Sequence, residues 1–291
     1  MVQSRLRRDR GKPRLLMILL FIFILAAAAI PLIFYDSSNR IETEEITVTL
    51  EGLSAAFDGF RIVHLSDQHG REFGRGNEKL LSIVRSLTPD IIVITGDIID
   101  DARQTSMLPA LLGGLVSVAP TYYVNGNHEY AATGLGTLCE MIEGLGVTVL
   151  LNRWTDIERS GQFIRLLGIQ DPNGPADIQP LGALVAAARA APPSKPFIVA
   201  ISHRYERFGE YAALSLPLTF VGHAHGGLVR LPFTDGLIGP GREWFPQYTS
   251  GLYELAGAQM ITSRGLGSNT DAPRFLNPPH VVLAILETKG D

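Results

Sequence analysis

Five short polar clusters, each directly after an apolar run, hold residue types that bind metal ions and move phosphate. Ser66-Asp67-Gln68-His69-Gly70 follows Phe60–Leu65, and Gly96-Asp97 follows Ile91–Thr95. Asn125-Gly126-Asn127-His128-Glu129 follows Thr121–Val124, and Ser202-His203 follows residues 197–201. Gly222-His223-Ala224-His225-Gly226-Gly227 follows residues 218–221. Imidazoles mixed with carboxylate and amide oxygens suit borderline divalent ions such as Mn, Fe, Co or Zn. Calcium is a poor match because it takes an all-oxygen shell. Asp67 and His69 are two apart, as are His223 and His225, so in extended backbone each pair projects to one side. The glycines at 96, 126, 222, 226 and 227 permit tight turns and close backbone approach to concentrated charge.

The apolar runs that precede these clusters read as buried strands, with helical stripes between them. Leu80, Ile83, Val84 and Leu87 stop before Pro89, and Leu108, Leu111, Leu112 and Leu115 stop before Pro120. Leu138, Ile142 and Leu145 end at Gly146, and an alanine-rich stretch covers residues 181–191. Strands alternating with helices predict a layered α/β fold. Ligands in such folds sit beyond the carboxyl ends of the strands, where all five clusters lie. Ile46, Val48 and Leu50 alternate with Thr47 and Thr49, as in a half-exposed strand. Residues 253–261 and 281–286 read as further strands without intervening helices, which implies a mixed sheet or two packed sheets.

Read in order from Asp67 to His225, the clusters spell D-x-H, G-D, G-N-H-[DE], a lone H and G-H-x-H. Together they resemble the calcineurin-like metallophosphoesterase superfamily. The resemblance implies a four-layer αββα sandwich. It also implies two divalent ions, one on Asp67, His69, Asp97 and His225, the other on Asp97, Asn127, His203 and His223. Asp97 would bridge them, and a hydroxide shared by the two ions would attack phosphorus in line. His128 would ligate neither ion, but would stabilise the phosphoryl oxygen or protonate the leaving group. Three positions depart from the usual pattern. Gln68 replaces a hydrophobic residue, Glu129 stands for the commoner Asp, and Tyr205 stands where relatives carry Pro. None removes a ligand. Leu231-Pro232-Phe233, Gly251-Leu252-Tyr253-Glu254 and Ser263-Arg264-Gly265-Leu266-Gly267 look like the membrane-anchored branch, some members of which hydrolyse UDP-2,3-diacylglucosamine in lipid A synthesis.

Residues 15–35 carry no charge, and as a helix this span matches a hydrocarbon core of roughly 30 Å. The chain therefore divides into a basic cytoplasmic tail (1–14), a transmembrane anchor (15–35), a linker (36–45) and a catalytic domain (46–291). The first 14 residues carry +5, and a total of −4 leaves −9 on the rest. The basic tail stays inside, so the single-pass protein presents an extracytoplasmic domain at the cell membrane. A cleaved signal peptide is the competing reading, since residues 26–29 are all alanine. Tethering beside the bilayer admits a lipid-linked substrate. An acidic domain argues against nucleic acid as a partner.

Other residues carry bland readings beside functional ones. His64 and His280 read as structural, Asp100 and Asp101 as solvated or capping carboxylates in preference to groups supporting the metal ligands, and Cys139 as a small buried residue. Arg264 and Arg274 lie in loops, either solvated or facing a substrate phosphate. The expected activity is hydrolysis of a phosphomonoester, phosphodiester or pyrophosphate. A UDP-diacylglucosamine pyrophosphatase is one alternative, though that nucleotide is made on the cytoplasmic side. A non-catalytic metal-binding scaffold is another, but no ligand is lost. A peptidase or esterase lacks its motif here. Specificity is expected from residues 170–180 and 234–249.

Overall fold

The computed structural model describes residues 12–132, 134–174, 178–193, 195–231, 234–268 and 274–290. In chain order the strands are β1 (Glu42–Leu50), β2 (Phe60–Leu65), β3 (Ile91–Thr95), β4 (Thr121–Val124), β5 (Thr148–Val149) and β6 (Arg153–Arg159). They continue with β7 (Gln162–Gly168), β8 (Phe197–Arg204), β9 (Leu218–Gly222), β10 (Gly251–Leu255), β11 (Ala258–Thr262) and β12 (His280–Thr288). The helices are α1 (Lys12–Asn39), α2 (Glu78–Ser86), α3 (Leu108–Val116), α4 (Glu129–Ala132), α5 (Leu135–Gly144), α6 (Leu181–Ala190) and α7 (Phe208–Ala213). One sheet runs β1-β12-β2-β3-β4-β5 and the other β10-β11-β9-β8-β7-β6. β2 to β5 are mutually parallel, as are β7, β8 and β9, so their carboxyl ends share a rim.

Successive side chains of a strand face opposite ways, and here both faces are covered. Ile92 and Ile94 of β3 pack with α2, α3 and α5, while Ile91 and Val93 enter the space between the sheets. Ile198 and Ala200 of β8 likewise meet α6 and α7, while Val199 and Ile201 face the first sheet. Three apolar layers between four layers of structure make the αββα sandwich. The runs are apolar throughout because neither face of these strands meets water.

Some elements differ from expectation. The run read as one strand over 253–261 is a hairpin, β10–β11, turning at Ala256-Gly257 with both φ positive. β6 and β7 form a second hairpin over Ser160-Gly161 that the apolar pattern misses, because β6 is a part-exposed edge strand with charges along it. β1 begins at Glu42, and residues 36–39 continue α1 instead of forming a polar link. α1 is fully exposed along its apolar window, and its polar end docks on the sandwich. Phe34 meets Phe275 edge-on, Ser37 is buried, and Lys79 donates to the Asn39 carbonyl at 2.6 Å.

Candidate metal centre

The five clusters converge, and their backbone is the reason. Asp67, His69, Asp97, His223 and His225 all have φ between 48° and 64°. This left-handed conformation is uncommon for residues with a Cβ, and concentrates where tight turns aim side chains. The extended geometry expected for the two i, i+2 pairs is therefore absent. Asp67 and His69 still meet, but His223 and His225 part company. His225 joins Asp67 and His69, whereas His223 joins Asp97 and His203. Gly222 and Gly96 make room: a Cβ at Gly222 would overlap Ser66 and one at Gly96 the backbone of Gly126.

Ligand atoms around one ion, each ~2.1 Å from it, lie roughly 3–3.5 Å apart. In the first group His225 Nε2 is 3.2 Å from His69 Nε2 and 3.5 Å from Asp67 Oδ1. In the second, His203 Nε2 is 3.1 Å from His223 Nδ1 and 3.2 Å from Asp97 Oδ2. That same Asp97 oxygen is 3.9 Å from His69 Nε2, so it stands between the groups. It is buried with no well-aligned donor, His203 Nε2 being the nearest at 3.2 Å, while Oδ1 accepts from the His128 backbone at 2.9 Å. Asn127 Oδ1 is also buried and unpartnered. Buried polar atoms normally find partners, so oxygens left bare among imidazoles fit cations. Burial, then the His203 and Arg204 charges, push the His223 imidazole down to about 2, and burial with His69 pushes His225 well below the usual range. Both imidazoles are neutral, the form that binds metal.

The surroundings orient this set. Asp100 Oδ1 sits 2.6 Å from His69 Nδ1 and 2.8 Å from His128 Nδ1, turning both Nε2 atoms inward. Asp100 thus orients two imidazoles, in place of the solvated or capping role preferred from its position. Burial works against its charge, but the His128 and His69 hydrogen bonds hold its carboxyl well below the usual range. The same bond raises His128, against burial. His128 Nε2 lies 3.9 Å from Asp97 Oδ2 and its ring is partly open to solvent. Asp101 caps the short helix that follows it, as expected. Glu129 accepts from the backbone of Asp97, Ile98 and Gly126, tying two ligand loops together, and burial beside Asp97 raises it to about 7.

Arg274 is buried, and neither solvated nor placed for substrate. It donates to the carbonyls of Gly267 and Arg264, bracing the loop whose Leu266 and Gly267 amides bind the Ser66 and Asp67 carbonyls. Arg264 pairs with Glu42 at 2.8 Å. His64 bonds Thr95 Oγ1 and His280 Nε2 lies 2.9 Å from Glu44 Oε2, both structural as expected. Cys139 is half-buried beside the helical core. Gln68 turns away to Arg71 and Asn77. Two further residues had escaped notice. Arg204 donates to Asp171 at 2.5 Å and reaches His223 Nε2 at 2.9 Å. Their only signal was position, Asp171 just past β7 and Arg204 directly after His203.

A sandwich with two His/Asp groups on one rim defines a class of phosphoesterase, and comparison with known proteins agrees. The model of the calcineurin-like phosphoesterase family matches residues 60–227, and the chain belongs to that family. It is 27% identical over 263 residues to the uncharacterized metallophosphoesterase YkuE of Bacillus subtilis, spanning 87% of this chain and 88% of that one. An uncharacterized metallophosphoesterase of Aquifex aeolicus is 26% identical over 268 residues, 86% of this chain and 94% of its own. A transmembrane protein with metallophosphoesterase domain from Danio rerio matches over 135 residues at 32% identity, 44% of this chain and 30% of its own.

Proposed function

We propose that the chain is a membrane-anchored, dinuclear metal-dependent phosphoesterase. Its substrate is a phosphodiester, phosphomonoester or pyrophosphate, and tethering of the domain at the bilayer admits a lipid-linked one. Asp67, His69, Asp97 and His225 would hold one ion, and Asp97, Asn127, His203 and His223 the other. Mn, Fe, Zn and Co all fit this mixed donor set. Two such ions, when bound, supply Lewis-acid activation of water and of the phosphoryl group.

The chain's own residues do the rest. Asp97 holds its bare Oδ2 between the groups, fixed through Oδ1 by the His128 amide. Asp100 aims His69 and His128 and keeps a proton on His128 Nδ1. His128, raised by that partner, is the group able to give a proton to a departing oxygen. α1 is the anchor: residues 14–39 form a helix long and apolar enough to cross a membrane. The basic tail before it favours a domain outside the cytoplasm.

The observation that carries this reading is Asp97 Oδ2, buried, without a well-aligned donor and facing imidazoles of both groups, His203 Nε2 at 3.2 Å and His69 Nε2 at 3.9 Å. The test is hydrolysis of bis-p-nitrophenyl phosphate by the detergent-solubilised full chain, with Mn added or removed by chelation, beside Asp97→Asn. The proposal expects Mn-dependent turnover that D97N abolishes. Turnover indifferent to chelator and to D97N would defeat it.

A further inference from the structure

The most exposed aromatic pair of the sandwich lies on the loop that follows the last ligand block. Trp244 and Phe245 are 69% and 72% exposed and meet at 6.4 Å between ring centroids. A soluble domain gains nothing by holding two large apolar rings in water side by side. The loop is nonetheless ordered by its backbone. Phe245 donates to Leu237, Leu237 donates to Val229, and Val229 bridges Phe275. This chain of backbone contacts links Phe245 through Leu237 and Val229 to Phe275. Phe275 is the residue that touches Phe34, at the outer end of the apolar helix.

The same loop also reaches the candidate centre. Glu243, next to Trp244, accepts from the Tyr205 hydroxyl at 3.0 Å, and the Tyr205 ring lies 6.0 Å from His223. On the other side, Arg71, two residues past His69, reaches Asn39 Oδ1 at the helix end. The rim of the metal centre therefore runs between the exit of α1 and the aromatic pair. Arg242 and Glu243 are exposed just before the pair, and Lys79, which bonds the Asn39 carbonyl, is an exposed cation at the helix exit, with the exposed Glu78 next to it. Exposed aromatic rings beside the exit of an apolar helix are the side chains that settle at a membrane interface.

We propose that Trp244 and Phe245 insert into the interfacial layer of the same leaflet that α1 leaves. The lipid surface is then a second point of attachment, and the metal centre opens onto phospholipid headgroups. This rests on the reading of α1 as an anchor, and continuity with that helix is what selects lipid over another occupant.

The full chain, reconstituted in phosphatidylcholine vesicles with bromine on the upper acyl chain, tests it by tryptophan emission. The chain has two tryptophans, and Trp154 on β6 serves as internal reference. The expected result is roughly a twofold loss of emission in brominated vesicles, abolished by Trp244→Phe. Moving the fluorophore with Trp244→Phe plus Phe245→Trp should restore the quenching, so one misfolded variant cannot mimic success. Co-flotation with vesicles but no quenching, or quenching that persists in W244F alone, would overturn the insertion and leave the anchor standing. Failure to co-float would overturn the anchor itself.

Discussion

Replacing Asp100 by Asn tests how the centre is oriented. Both ring Nδ1 atoms converge on a single oxygen, Asp100 Oδ1, at 2.6 and 2.8 Å. An asparagine can keep an oxygen there, so the substitution removes charge more than shape. A charge-assisted hydrogen bond is worth about 1.5–3 kcal/mol against about 1 for a neutral one, and two are weakened here. Asp100 is part-exposed, which places the loss near about 2 kcal/mol, or roughly 30-fold in rate. Outer partners of metal-binding histidines show losses of about 10–100-fold, in agreement. The assay is kcat/KM on bis-p-nitrophenyl phosphate at saturating Mn, taken across pH. Asp100 raises His128, so the variant lowers it. If protonated His128 is the acid, activity falls as pH rises through its pKa, and D100N moves that basic limb to lower pH. Asp101→Asn, which touches neither ring, should change little. An unaltered rate and limb in D100N would refute the orienting role.

Further outcomes follow from other contacts. His128→Ala should lower kcat by about 10²–10⁴ while leaving metal content intact, checked by turnover beside elemental analysis. Arg274→Met leaves the Gly267 and Arg264 carbonyls unpaired and should cost about 3 kcal/mol, read as a lower urea midpoint, with weakened metal retention because the Asp67 loop loses its brace. Burial lowers the His64 imidazole to about 3, and burial outweighs the Glu44 bond to lower His280 to about 4. Their unfolded forms take up protons near pH 6.5 and the folded forms do not, so stability is present above that pH and falls below it. Each contributes about 2 kcal/mol of loss by pH 5. His64→Gln should flatten part of that slope in urea titrations at the two pH values.

The convergence of these His and Asp residues on one rim was legible because each lies just past a buried strand, where a polar residue has no packing reason to stand. The fold was legible for the same reason: β3 and β4 are mostly apolar and lie next to glycine or proline, and β2 keeps Ile62, Val63 and Leu65 around its two polar residues. What stayed hidden was of two kinds. β6 mixes charged and apolar residues at a sheet edge, and Arg165 interrupts the apolar run of β7, so their pattern is diluted. Asp100, Arg204 and Asp171 matter through partners far along the chain, and spacing does not report such contacts. The direction of His223 and His225 was misread because extended geometry was assumed where the backbone is left-handed. Gly226 and Gly227, which lie against the 236–277 region, hold that turn.

The central claim is that two ions share Asp97. The most direct test is Mn stoichiometry with low-temperature electron paramagnetic resonance on the full chain, native and Asp97→Ala. The account expects two Mn per native chain with an exchange-coupled pair spectrum, and loss of that coupling in D97A. A single uncoupled Mn in the native chain, or an unchanged coupled spectrum in D97A, would contradict it.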